Sequence, residues 1–233
     1  MGYTLFMSRI AIIGASQGIG FEFVRQYAAI ADNAIIATCR DADAQKKLSA
    51  LGTNIEVHAL DVRDLDGIKR VANEIQGKPL DVLIINAGVY GDDIGVNKDS
   101  VDMWMDVFKV NTIAPVMLAL SLLKNLMAGK EKKLVAITSQ MGSIDDNSSG
   151  GHIPYRTSKA ALNMAWKSLS VDFAKHGIIA TVLHPGWVQT RMGGQSAPMD
   201  VETSVSNMRG VIDELRPAHS GAFLRYNGST IAW

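Results

Sequence analysis

Short apolar runs alternate along this chain with longer stretches whose apolar positions recur every three or four residues. The runs are "RIAII" (9–13), "AIIAT" (34–38), "IEVHAL" (55–60), "DVLIIN" (81–86), "KLVAIT" (133–138) and "IIATVL" (178–183). Each reads as a continuous apolar strand, several ended by a small or polar residue. Strands of that kind are buried on both faces, which predicts a parallel sheet covered by helices. Helices are predicted near 18–31, 41–50, 64–76, 100–128 and 155–175, and a last strand near 222–226. Repeated βα units with right-handed crossovers make a doubly wound α/β fold. No Pro/Gly/Ser-rich linker, repeat or low-complexity tract divides the chain, so residues 1–233 read as one domain. The irregular stretches 87–99, 139–154 and 185–200 each follow a strand. Ligands of open α/β sheets bind outside the carboxyl ends of the strands, so these loops are expected to surround the site.

Composition narrows the function classes. Hydrophobic residues make up 47% and charged residues 20%, enough for a sizeable core and too little charge for disorder. Lys plus Arg balance Asp plus Glu at 23 each, and no basic cluster stands out, which argues against a nucleic-acid partner or an anionic membrane surface. The single cysteine, Cys39, excludes an intrachain disulfide and a zinc–thiolate cluster and fits a reducing compartment. No His, Asp and Glu cluster has metal-ligand spacing, so no metal is expected. "MGYTLFMSRIAIIG" has neither a basic n-region nor a cleavage pattern, and Phe6 stands where myristoylation requires Ser or Thr. The longest apolar run, "TIAPVMLALSLL" (112–123), is too short to span a bilayer. A soluble cytoplasmic protein is the expectation.

The turn "IIGASQGIG" (12–20) joins the first strand to the first helix. Gly14 permits a tight exit from the strand. Gly18 and Gly20 let a phosphate approach a helix N-terminus, where unpaired N–H groups and the dipole favour anions. A tight packing turn is the plainer reading; its position between strand and helix favours a dinucleotide. At the end of the second strand, NAD readers place a carboxylate for the ribose 2′-hydroxyl. Here "ATCRD" places Arg40, whose guanidinium suits a 2′-phosphate, and Asp41 is free to cap the next helix. NADP(H) is the cofactor expected, with NAD as the alternative.

In "HIPYRTSKAALNMAWKSL" (152–169), Tyr155 and Lys159 lie one helical turn apart on a common face. Together with the ordered motifs "GASQGIG" (14–20), "LDV" (60–62), "NAG" (86–88), "VNTIAP" (110–115), "ITSQMGSI" (137–144), "YRTSK" (155–159) and "PGWVQT" (185–190), the chain from Arg9 to Trp233 resembles the short-chain dehydrogenase/reductase family. Within it, the "MGSI…YRTSKAALN" segment and the end "IAW" are most similar to the C-factor-like and sniffer-like carbonyl reductases. Two positions depart from the family's pattern: Ile13 stands where threonine is usual, and Gln17 where many NADP-dependent members carry a second basic residue.

The resemblance implies a Rossmann-fold oxidoreductase that reduces a small carbonyl compound, or oxidises the matching alcohol, by hydride transfer. Gly14, Ser16, Gln17, Gly18, Ile19 and Gly20 would cradle the pyrophosphate, and Arg40 the 2′-phosphate. Asp61 and Val62 would meet the adenine, and Asn86, Ala87 and Gly88 would line the fourth strand's end. Pro185, Gly186, Val188 and Thr190 would fix the nicotinamide. The catalytic set would be Asn111, Ser139, Tyr155 and Lys159. A phenol has an ordinary pKa near 10, and a nearby ammonium stabilises its anion, so Lys159 would tune Tyr155 as the general acid or base. The resemblance adds a Lys159 contact to the nicotinamide ribose.

Ser139 ends the fifth strand and would bind the substrate oxygen; Ser143 competes for that role, and a simple turn cap is the plainer reading of Ser139. Pro115 cannot donate to the Asn111 carbonyl, which frees that oxygen for a water or merely kinks the helix. The resemblance implies such a water, relaying protons from Lys159. His152 and His184 lie near the site, but Tyr155 already fills the acid–base role. Tyr90, Met141, His152, Trp187 and Met192 suggest a mostly apolar substrate wall. Met103, Trp104, Met164 and Trp166 read as core or interface. Leftover apolar positions on the two long helices, among them Met117, Leu120, Leu162 and Trp166, predict a homodimer or homotetramer. A cofactor-binding regulatory or signalling protein with little catalysis is the alternative function.

Overall fold

A computed structural model describes residues 8–91 and 101–233. The reading of the first residues as lacking a targeting signal and most of the 87–99 loop lie outside the described residues. Seven strands form one parallel sheet: β1 (Arg9–Ile13), β2 (Ala34–Cys39), β3 (Ile55–Ala59), β4 (Val82–Ile85), β5 (Lys133–Ile137), β6 (Ile179–His184) and β7 (Phe223–Arg225). Their order is β3-β2-β1-β4-β5-β6-β7. The order reverses between β1 and its neighbours β2 and β4, with Ile10 paired to Ile35 on one side and Val82 on the other. That reversal opens a crevice at the strands' carboxyl ends.

The strands were legible because their residues are buried on both faces. Ile10, Ile12, Leu83, Ile84, Leu134 and Val135 are at most 1% exposed. The exception is β3, which runs along the sheet edge with every residue half-buried or exposed. Glu56 on it is exposed, and His58 is held between Glu56 and Glu74, so "IEVHAL" is not a doubly covered strand.

Helices cover both faces. On one, α1 (Gly18–Ala28), α2 (Ala42–Ser49) and α8 (Val201–Asp213) bury Phe23, Leu48 and Met208. On the other, α3 (Leu65–Glu74), α4 (Val101–Phe108), α5 (Ala114–Ser121), α6 (Leu123–Ala128) and α7 (Ile153–Asp172) bury Ile68, Leu118, Leu126 and Trp166. The helix α8 escaped the sequence reading, which left 201–221 without an element. Its apolar positions Val205, Met208 and Ile212 are spaced as a helix face, and Asp200 caps it through the Thr203 N–H at 2.7 Å. Asp41 likewise caps α2, accepting from the Ala44 N–H at 2.8 Å.

The single helix expected over 100–128 is broken. A π turn over Lys109–Ile113 separates α4 from α5, and Ala114 N–H reaches back to the Lys109 carbonyl. Pro115 follows at once and supplies no donor, so the ladder widens where a proline interrupts it. The stretch Val101–Ser121 is long and apolar enough to cross a bilayer by length and composition, which corrects the expectation from the shorter run. Here it is a wall of the domain: Val107, Val110, Ala114 and Leu118 are buried, the last three in the core, and Asp106 is paired with Arg63.

Candidate active site

The carboxyl ends of β1, β2 and β4 meet at the glycine turn. Gly14 sits at φ +88°, and a Cβ there would stand 2.8 Å from the Ala87 backbone. Only glycine allows this approach. Asn86 Nδ2 donates to the Gly14 carbonyl at 2.8 Å, and Gly14 N–H donates to Thr38 Oγ1 at 3.0 Å. Thr38, a residue the sequence reading did not single out, therefore fixes the turn from β2. Helix α1 begins at Gly18 behind an extended Gln17, and no side chain caps it. Its first N–H groups are left to face the cleft, as an anion requires.

This cleft encloses about 290 Å³ and is lined on the turn side by Gly14, Ser16, Gln17, Gly18 and Ile19. Arg40, Asp61, Val62, Asn86, Ala87 and Gly88 continue the wall, and Tyr155, Lys159, Pro185 and Thr190 close the far end. Thr190 lies over Gly18, whose Cβ would be 3.5 Å from its methyl. Arg40 is exposed and has no ion pair among the described residues. Its N–H donates to Ser16 Oγ at 3.4 Å. Arg63, Arg191 and Met192 also line the cleft, and only Met192 had been singled out. Arg63 was hidden because its place depends on Asp106, far along the chain, which holds it through two bonds of 2.7 and 2.8 Å.

Three expected cofactor contacts do not line the cleft, and two of them, Gly20 and Val188, are buried. Gly20 packs under the turn, where a Cβ would fall 2.1 Å from the Gly14 carbonyl, so it is glycine for packing. Val188 is 4% exposed and pairs with Met199 in an isolated bridge. Gly186, at φ +86°, shapes its turn against the Tyr226 ring rather than lining the cleft.

Helix α7 carries the pair that the sequence placed on one face. Tyr155 is 7% and Lys159 4% exposed. The lysine Nζ lies 5.8 Å from the tyrosine ring centre and donates to the Ile137 carbonyl at 3.0 Å. Burial dominates both: it pushes the phenol up to about 12, opposed by a hydrogen bond with Ser139, and the lysine down to about 8. The expected depression of the phenol by the neighbouring ammonium is thus not what governs it here. Desolvation outweighs a charge held almost 6 Å off and turned to a carbonyl.

Ser139 lies two residues beyond β5, in the loop rather than at the strand's end, and its Oγ accepts from Met141 N–H at 3.2 Å. It caps that turn, and its hydroxyl acts to lower the Tyr155 pKa against burial. Ser143 is committed elsewhere, its hydroxyl donating to the Ala232 carbonyl at 2.8 Å. Gly142 allows the β5 loop to lie on α7, since a Cβ there would be 2.8 Å from Lys159 main-chain and side-chain atoms.

Asn111 is fully buried in the π turn. Its side chain accepts from Val89 N–H at 2.8 Å and donates to the Val89 carbonyl at 2.8 Å and Ser158 Oγ at 3.0 Å. It therefore joins the segment after β4 to α7 beside Lys159. A Cβ on Gly88 would be 3.4 Å from Asn111 Oδ1 and 3.6 Å from Lys159 Nζ, which puts both groups around one point.

Above Tyr155 lies an aromatic wall. The Tyr90 ring centre is 4.5 Å from that of Tyr155 and 5.2 Å from that of His152, and Tyr90 Oη meets Met141 Sδ at 3.8 Å. Trp187 and Met192 are 58% and 48% exposed on the loop after β6. Burial and the Arg225 charge push His184 down to about 4, so it stays neutral near pH 7 and is no acid there. Among the described residues no group of three His, Cys, Asp or Glu could hold a metal.

The short chain dehydrogenase family model matches residues 8–200. The chain is 41% identical to C-signal of Myxococcus xanthus over 167 residues, 71% of this chain and all of that one. Its fold is similar to the carbonyl reductase Sniffer of D. melanogaster, with a TM-score of 0.91 at 33% identity over 98% of this chain and 100% of the other. An NADPH-bound carbonyl reductase from chicken fatty liver gives 0.90 at 33% identity, over 98% and 95%.

Proposed function

The chain belongs to the short chain dehydrogenase family, and from that premise we propose that it is an NADP(H)-dependent reductase of a small carbonyl compound. The observation that carries this reading is Tyr155, 7% exposed, lining the head of the cleft together with Lys159 one turn along α7. The donor set fits that cofactor: a glycine cradle a Cβ would fill, an uncapped helix N-terminus for the pyrophosphate, and the exposed Arg40 for a 2′-phosphate. NADPH, when bound, supplies the hydride.

The rest falls to the chain's own groups. Ser139 and Tyr155 grip the substrate oxygen, and Tyr155 delivers its proton as negative charge develops there. A phenol held near 12 is fully protonated at working pH, which suits the reducing direction. Lys159 stays largely charged at pH 7 and stabilises the phenolate left behind. Asn111 holds the lysine's surroundings in register through Val89 and Ser158. Tyr90, His152 and Met141 present an apolar, aromatic wall to the substrate. Similarity to the NADPH-bound chicken enzyme and to Sniffer supports both cofactor and substrate class.

The test is loss of NADPH absorbance with a panel of aromatic and aliphatic aldehydes and ketones. Turnover that vanishes in Tyr155→Phe is the expected result. Tight NADPH binding without turnover on any compound overturns it in favour of a signalling role, the reading that similarity to C-signal keeps as the alternative.

A further inference from the structure

The loop that carries Ser139 is gripped from outside by the chain's last described segment. After β7 the chain turns back at Gly228, whose N–H donates to the Arg225 carbonyl at 2.9 Å. Arg225 N–H donates to the Ser229 carbonyl at 2.8 Å, and Thr230 bridges antiparallel to Leu224. Ile231, 3% exposed, donates its N–H to the Phe223 carbonyl at 2.8 Å. The Trp233 ring rests 5.5 Å from that of Phe223. Residues 226–233 are thus a turn and a return segment, bridged once to β7 at the sheet edge.

Its end meets the β5 loop. The Trp233 main-chain oxygen accepts from Ile144 N–H at 3.1 Å and Asp145 N–H at 3.0 Å. Ser143, 2% exposed, donates its hydroxyl to the Ala232 carbonyl and accepts from Asp146 N–H at 3.0 Å. Arg225 Nη1 donates to Gln140 Oε1, and Gln140 Nε2 donates to Asp146 Oδ2. Beyond Gly142 the loop has little apolar anchorage of its own: Ile144 is 79% exposed and residues 145–151 are exposed. Polar bonds to Arg225 and to the return segment therefore set its position. The opposite side of the same short turn holds Ser139 and Met141, which face Tyr155 and Tyr90.

We propose that Arg225 and the segment 226–233 that follows it are a strap that sets the position of Ser139, with Ser143 and Gln140 as the positioning residues through which it acts. The proposal rests on the reading of Ser139 and Tyr155 as the groups that hold the substrate oxygen. Neither Ser143 nor Gln140 lines the cofactor cleft, so the strap bears on the substrate side alone. Ser143→Ala removes the hydroxyl that joins Ala232 to Asp146, while Ser143→Thr keeps one. A small displacement of a substrate-holding group is expensive in rate, so Ser143→Ala should lower kcat about tenfold. NADPH affinity should not change.

The experiment measures kcat, KM for the carbonyl and for NADPH, and amide exchange at Met141, whose N–H is held by Ser139. It compares the full chain with Ser143→Ala, Ser143→Thr and Gln140→Ala. Expected are a lowered kcat and faster Met141 exchange in both alanine variants, with the NADPH constant unchanged and recovery of both in Ser143→Thr. Unchanged Met141 exchange in Ser143→Ala overturns the proposal, as does an unchanged kcat in a chain whose unsubstituted form turns over. If the unsubstituted chain turns over no carbonyl, the proposed reaction fails, and Met141 exchange alone then decides whether the strap sets the loop.

Discussion

At the scale of single residues, burial sets the chemistry of this site more than pairing does. Tyr155 and Lys159 stand on one face as their spacing requires, yet each is driven toward its neutral form by desolvation. The consequence for stability can be signed. Lys159 titrates near 8 folded and near its ordinary 10.5 unfolded, so below pH 8 both states are charged and the cost of burying the charge is fully present. Between pH 8 and 10.5 the unfolded chain binds the extra proton, and stability rises with pH. Lys159→Met removes this contribution, so its advantage over the parent in urea midpoint should be largest below pH 8 and shrink toward pH 10. A constant difference across that range would refute the assignment.

Tyr155→Phe keeps the ring against Tyr90, so NADPH affinity should hold while turnover falls about a hundredfold to ten-thousandfold. Near-normal turnover in stopped-flow assays would leave the tyrosine a packing residue. Arg40→Ala should weaken NADPH by about 1.5–3 kcal/mol, the worth of a charge-assisted contact, and NADH hardly at all. Equal parental affinity for the two cofactors, measured by fluorescence titration, would sink that assignment.

Among the elements, what could be read from sequence follows from how local each signal is. The strands were legible because Ile, Val and Leu runs are buried wherever the sheet has helices on both sides. The edge strand β3 was overrated because burial on its outer side depends on a neighbour the sheet lacks. Helix α8 was missed because its apolar positions are diluted by Ser, Thr, Asn and Gly in "VETSVSNMRGVID". Asp41 and Asp200 were ordinary caps, but only Asp41 precedes a helix that the pattern showed. The candidate catalytic positions could be placed because motif order puts Asn111 in the π turn, Ser139 just after β5, and Tyr155 and Lys159 on α7. Thr38, Arg63 and the Ser143 hydroxyl were not, since their partners, Gly14, Asp106 and Ala232, come from distant parts of the chain. Packing between elements carries a prediction of its own. Gly142→Ala would drive a methyl into the α7 backbone at Lys159, costing about 1–3 kcal/mol of stability as overpacking does. Chemical denaturation should show it, together with slower turnover, because the loop bearing Ser139 must move off the helix.

For the whole molecule, the unexplained surface is apolar and helical. The stripe expected on the long helices included Leu162 and Trp166, but both are 1% exposed, and Trp166 donates its indole N–H to the Leu134 carbonyl in the core. Met117 also packs against that core. Leu120 is exposed as expected, and the other exposed positions are Met105 on α4, Ile113 in the π turn, and Ile153, Met164 and Val171 on α7. Met164 and Val171 are 67% and 68% exposed, two turns apart on one helix. Side chains of this size left in water along a helix call for a cover. We infer that a second copy of the chain supplies it, because Lys plus Arg and Asp plus Glu cancel at 23 each and leave no net repulsion between copies. Light scattering at micromolar concentration should therefore give a homodimer or homotetramer. Met164→Lys with Val171→Lys should convert it to monomer without unfolding, since neither side chain reaches the core. A monomeric parent, or an assembly indifferent to both lysines, would place the cover elsewhere. The proposed catalytic pair shares α7 with this face, one end of the helix bearing Tyr155 and Lys159 and the other Val171. The same double variant should then report, through any change in kcat, whether assembly holds that helix in its working position.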